Sequence, residues 1–208
     1  MSRIAWNTYL PILLGAALCT LSTSVSAQSI KAEGDKPTFD DLESPMFSGG
    51  KQKPFKPKNW LEIEAKLKLA MKPEPPSQTA ERVMVRWFVA VQNPERANTF
   101  LLLTKDVEHV NVPLNEDVYV SIYLSPSSIK RLTGADRAAK SVVEFVGYEI
   151  LVNSVKVTEG SSSGKPWWNV ASPKISRSDT VPLLTKPQTP FSNMWWDRYA
   201  EVVQPSAR

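Results

Sequence analysis

The sequence predicts an all-β domain, two sheets closed over one apolar interior. Three observations carry that expectation. Apolar and polar residues alternate with period two through several separate segments, as side chains do on a half-buried strand. Turn signals rich in Pro, Gly and Asn separate those segments. No strand–helix alternation and no Gly-rich phosphate loop interrupts the series.

The chain has 208 residues. Its start, MSRIAWNTYLPILLGAALCTLSTSVSAQS, places Arg3 before an apolar run from Leu10 to Leu21. That run falls short of the ~20 residues that cross a bilayer as a helix. Val25 and Ala27 are the small residues an export peptidase needs, so residues 1–27 are expected to be a signal peptide. Cys19 follows Leu18 inside the apolar run, which does not fit a lipoprotein leader. No long apolar helix follows Lys31, which does not fit a standard pilin subunit. The expected mature chain therefore has no cysteine, no disulfide and no thiolate chemistry. It also carries no transmembrane span. The location is expected to be exported: periplasm, outer-membrane associated or extracellular.

Net charge is +4, falling to about +3 once Arg3 is removed. That mild surplus excludes the concentrated basic stripe of a nucleic-acid binder. Residues 28–58, QSIKAEGDKPTFDDLESPMFSGGKQKPFKPK, are polar with scattered apolar positions. They are expected to form a flexible N-terminal arm acting as a spacer, the alternative being that Phe39, Leu42, Met46, Phe47 and Phe55 anchor it on a partner or on the domain. Its basic stretch KQKPFKPK, 51–58, reads as a solvated linker, with contact to an anionic membrane or polyanion as the alternative. The folded domain is expected over 59–204, including an extended C-terminal tail.

Within it, WLEIEAKLKLA alternates strictly. Leu61, Ile63, Ala65, Leu67 and Leu69 share one face, and Glu62, Glu64, Lys66 and Lys68 share the other. The prolines of KPEPPSQT end this strand. ERVMVRWFVAVQNPE predicts a central strand with Val83, Val85, Trp87, Val89 and Val91 inward, stopped by Asn93-Pro94. FLLLTKDVEHVNVP is the next strand, with a bend expected after Lys105. NEDVYVSIYLSP sets Val118, Val120, Ile122 and Leu124 opposite Tyr119 and Tyr123. In SPSSIKRLTG, Ser125 is an N-cap, Pro126 suits the first helical position and Gly134 the C-terminal stop. This is one short crossover helix.

In SVVEFVGYEILV, Glu144 and Glu149 are both expected to face water, yet they stand an odd number of residues apart. A bulge at Gly147 would restore the phase. VNSVKVTEG continues this strand or turns back as its hairpin partner. PWWNVAS returns to a sheet, and the proline-spaced SPKISRSDTVPLLTKPQTPF lies extended over the domain. FSNMWWDRYAEVV forms a strand or a short helical turn. About seven strands and one helix fit an immunoglobulin-like β-sandwich, with a small barrel as the alternative closure.

No catalytic constellation is visible, and no cofactor or metal site is expected. The one histidine of the chain, His109, lies in a strand pattern and reads as a surface or strand-edge residue. No GxSxG elbow frames a serine. The acid pairs Asp40-Asp41 and Glu116-Asp117 select no pair for glycoside chemistry. The candidate recognition residues are the adjacent tryptophans Trp167, Trp168, Trp195 and Trp196. On a strand, adjacent rings face opposite ways. One ring of each pair is then expected in the core, and the other clamps the tail or docks a partner.

Two stretches, PMFSGGKQKPFKPKNWLEIEAKLKL and KPWWNVASPKISRS, carry a resemblance. The chain resembles the small secreted proteins encoded with the type IV pilus-like gene cluster of the mucin-dwelling bacterium Akkermansia muciniphila. The resemblance implies an immunoglobulin-like fold related to pilin-type globular domains, an envelope location and an association with pilus-like machinery. It implies an accessory, non-enzymatic role through protein–protein contacts with envelope or pilus-like assembly proteins. Glycan binding by exposed tryptophans is the alternative.

Overall fold

The computed structural model describes residues 28–46, 55–135 and 140–204. The expected signal peptide, 1–27, and half of the basic stretch 51–58 lie outside these residues.

Among the described residues eleven strands form two sheets, accompanied by one α-helix. The first sheet runs β1 (Ser29–Gly34), β3 (Asn59–Lys72), β6 (Asp117–Leu124), β10 (Leu184–Thr185), with β2 (Thr38–Glu43) also on β3. The second runs β11 (Glu201–Val202), β5 (Phe100–Pro113), β4 (Thr79–Gln92), β7 (Val143–Val152), β8 (Val155–Ser161), with β9 (Ile175–Arg177) also on β5. The chain crosses between sheets from β3 to β4, from β5 to β6, and from β6 to β7. In immunoglobulin terms β1/β2, β3 and β6 stand as strands A, B and E, and β5, β4, β7 and β8 as C′, C, F and G. The fold is the expected immunoglobulin-like all-β sandwich.

The alternating faces close as the pattern dictates. Leu61, Ile63, Ala65, Leu67 and Leu69 meet Val83, Val85, Trp87, Val89 and Val91 in one buried cluster, joined by Val118, Val120, Ile122 and Leu124. Trp87 on β4 packs on Tyr148 of β7 at 5.6 Å between ring centroids. That region is pinned by a disulfide in antibody domains. Here ring packing takes its place, and the Tyr148 hydroxyl donates to the Asp35 carbonyl at 2.6 Å. The helix α1 (Pro126–Thr133) starts at the Ser125 cap, which accepts from the Ser128 N–H, and ends on Gly134 at φ 71°. Ile129 and Leu132 seat it on the core.

Four expectations need correction. The segment expected to be a free arm is largely sheet. β1 pairs with Leu67–Lys72 and β2 with Asn59–Glu64, both antiparallel. Strand pairing with the long β3 outweighs the polar composition, and Ile30, Ala32 and Phe39 pack on the core. Asp40 and Asp41 therefore lie on a strand, where Asp40 pairs with Lys140 at 2.8 Å. The bulge in β7 falls at Glu144, not Gly147. Ala90 pairs with Phe145, and the next residue Val91 pairs with Val143. Gly147 pairs regularly with Phe88, and it is small because the ring of Trp168 lies on it; a methyl there would overlap that ring. β5 runs unbroken past Lys105, paired with β4 at every residue from Phe100 to Val110. His109 is buried, not at the surface. The hairpin alternative for VNSVKVTEG holds: Asn153 and Ser154 both take positive φ and turn β7 into β8.

Candidate functional site

Neither tryptophan pair sits on a strand. Trp167–Asn169 and Trp196–Arg198 are short 3-10 turns, so the expectation of one ring inward and one outward fails in both places. Proline before the first turn and a left-handed residue in the second take the backbone out of the pleated geometry on which that expectation rests.

The first pair is an internal clamp on the outer face of the second sheet. Trp168 stacks on Phe88 at 5.0 Å and 9° between planes. Its indole N–H donates to Glu149 Oε1 at 3.2 Å. Trp167 stands edge-on to Trp168 at 5.8 Å and packs near Phe145 at 5.9 Å. Glu149, expected to face water, is therefore covered, and Lys156 and Arg86 lie 3.5 and 3.8 Å from its carboxylate.

The second pair is exposed, Trp195 by 49% and Trp196 by 61%. Trp195 takes φ 51° and ψ 44°, a left-handed conformation that is costly for a bulky residue. What holds it is a buried ammonium. Lys186 donates from Nζ to the carbonyls of Phe191, at 2.8 Å, Ser192 and Met194, and its Nζ lies 4.9 Å from the centre of the Tyr199 ring. Burial pulls its pKa below the usual lysine range. Three carbonyls aimed at one cation fold residues 191–194 into a tight loop, and Trp195 and Trp196 project from its end.

The loop rests on the outer face of the first sheet. Phe191 is buried between Tyr123, stacked at 5.7 Å, and Trp60, edge-on at 5.8 Å. Tyr123 donates to Glu62 at 2.6 Å, and the Tyr199 hydroxyl lies 3.1 Å from Glu62 and 2.9 Å from Glu64. Burial raises the pKa of both tyrosines, and the neighbouring carboxylates add to the rise. Arg198 bonds Glu64 at 2.8 Å and lies 3.7 Å over the Tyr119 ring. Glu62 and Glu64 were expected on a wet face, and here they anchor the tail.

After the turn the chain crosses to the second sheet. The Ala200 N–H donates to the Tyr119 carbonyl at 2.9 Å on β6, and Val202 pairs with His109 on β5. His109 Nδ1 lies 3.2 Å from the Ala200 carbonyl, which makes it the N–H donor, while Nε2 is buried without a partner. Burial lowers the imidazole pKa to about 4. Between the Lys186 loop and this crossing strand lies an open groove of about 290 Å³. Trp196, Tyr199 and Pro187 give it apolar walls, and Asn193, Glu201 and Gln204 give it polar ones.

Trp195 and Trp196 are thus the exposed members of the four, and Trp167 and Trp168 are not. Sequence reasoning missed Lys186, whose lone charge between Thr185 and Pro187 reads as surface. Among the described residues no group of three or more His, Cys, Asp or Glu side chains could hold a metal ion. No helix of the described residues is long and apolar enough to cross a membrane.

A protein-family model matches residues 23–206. A crystal structure of a protein from Akkermansia muciniphila superposes with a TM-score of 0.79 at 35% identity, covering 86% of this chain and 96% of that one. No curated protein matches.

Proposed function

Since the chain belongs to the family whose model spans residues 23–206 and is similar to the Akkermansia muciniphila structure, we propose that it is a non-enzymatic cell-envelope protein, an accessory to type IV pilus-like machinery that works through protein–protein contacts. It is exported, loses its leader and stays outside the inner membrane, in the periplasm, at the outer membrane or beyond it. The observation that carries this reading is the exposed pair Trp195 and Trp196 on a loop braced from beneath by Lys186. Large exposed rings on a rigid support are the anchors protein interfaces use, because little side-chain freedom is lost on docking. The groove beside Trp196 offers room for one partner side chain at the anchor.

The alternative, a glycan seated on these rings, draws support from the polar groove wall of Asn193, Glu201 and Gln204. Against it, Trp195 and Trp196 make no ring contact with each other among the described residues, so they form no stacked platform for consecutive sugars. The test is cross-linking capture from envelope extracts with the native chain, Trp195→Ala and Trp196→Ala, beside titration with soluble mucin oligosaccharides. Protein partners lost in both variants are expected. Unchanged capture, or loss of oligosaccharide binding alone, would turn the reading away from protein docking.

A further inference from the structure

The exposed edge of β5 is interrupted. Three backbone bonds show which residues turn their polar groups away from β4. The Phe100 N–H donates to Lys174 O at 2.8 Å, the Ser178 N–H to Leu102 O at 3.0 Å, and the Val203 N–H to Glu108 O at 2.9 Å. Even-numbered residues of β5 therefore point outward, as alternation in an antiparallel ladder requires. β9 covers Phe100 to Leu102, and β11 with Val203 covers Glu108 to Val110. Between them, Thr104 and Asp106 present an N–H and a C=O each, with no strand opposite among the described residues. A hollow of about 350 Å³ opens beside them, lined by Arg86, Phe88, Thr104, Lys105, Asp106 and Arg177.

We propose that this window in the β5 edge is a second docking site, which accepts a short extended segment of a partner protein carrying acidic side chains. Unpaired backbone groups bind an added strand through main-chain hydrogen bonds, and nearby side chains set its chemistry. The charges favour acid. Arg86 is held by Asp106 at 3.1 Å and Arg177 touches Asp179 at 3.7 Å with its side chain 68% exposed, while Lys105 has no ion pair among the described residues. A second copy fits poorly. Antiparallel pairing of two such edges through Thr104 and Asp106 sets Lys105 opposite Lys105, a like-charge pair. The chain's own end fits poorly too. Pro205 has no N–H to give to an added ladder.

The site is separate from the tryptophan loop, so its test stands apart from the previous one. The isotopically labelled chain is titrated with millimolar acetyl-Val-Glu-Val-Glu-Val-amide while backbone amide signals are followed. The expected result is perturbation and slowed hydrogen exchange at Thr104 and Asp106, with acetyl-Val-Lys-Val-Lys-Val-amide binding about tenfold more weakly. Lys105→Glu should invert that preference. Thr104→Pro removes an outward donor without touching the β4 ladder, and should weaken binding about tenfold at unchanged thermal stability. Trp195→Ala and Trp196→Ala should bind the peptide as the native chain does. Equal binding of both peptides, or no change at these two amides, overturns the proposal. So does self-association in sedimentation that Thr104→Pro abolishes, which assigns the edge to a second copy. A tenfold gain in peptide binding on deleting residues 205–208 overturns it as well, by making the chain's own end the occupant.

Discussion

His109 shows how one buried ring ties two distant segments and makes the tie sensitive to acid. Its Nδ1–H holds the Ala200 carbonyl, and its Nε2 faces the interior without a partner. The neutral ring is tolerated there and the charged ring is not, so its pKa falls to about 4 from 6.5. Between those values the unfolded chain binds a proton that the folded chain does not. Stability from this group is therefore complete above pH 6.5 and lost as pH falls toward 4, by about 3 kcal/mol. Denaturant unfolding at neutral pH and near pH 4.5 should show a smaller drop for His109→Gln than for the native chain. Tyr123 teaches a companion lesson. Alternation places it on the outer face of β6, and it is fully buried nonetheless, because Phe191 covers it.

At the scale of the element, the informative unit is the loop from Lys186 to Trp196. It has almost no regular structure. Its shape comes from one ammonium meeting the carbonyls of Phe191, Ser192 and Met194, and from Phe191 filling the gap between Tyr123 and Trp60. Methionine keeps most of the lysine stem, one atom shorter, and donates nothing. Lys186→Met should cost about 1–3 kcal/mol. It should also raise hydrogen exchange across residues 191–196, measured by mass spectrometry. Unchanged exchange there would mean that Phe191 alone shapes the loop. No periodic signal announces such an element. The lysine and its acceptors are joined by geometry, not by a repeat, so only the exposed aromatic pair was visible beforehand.

For the molecule as a whole, the N-terminal strands decide whether the domain begins near residue 59 or near residue 29. β1 and β2 complete the first sheet, half-bury Ile30 and Phe39, and place the Asp35 carbonyl under the Tyr148 hydroxyl. Deleting residues 28–46 should lower stability by about 2–4 kcal/mol, read by thermal and urea unfolding; a plain spacer would leave both unchanged. The central strands were legible, because period-two alternation is a local property and each of β3, β4, β6 and β7 has a face that must be buried. The caps of α1 were legible for the same reason, since Ser125, Pro126 and Gly134 act on their own backbone neighbours. β1 and β2 were not, because their stability comes from a partner already in place, so polar residues suffice. The tryptophans were legible as aromatic weight but not as roles. By itself the sequence determined which side chains of the central strands face the interior of the sandwich. Only the tertiary structure decided what covers the two outer faces, because that depends on where the long tail lands, and contacts between segments far apart in the chain leave no periodic trace along it.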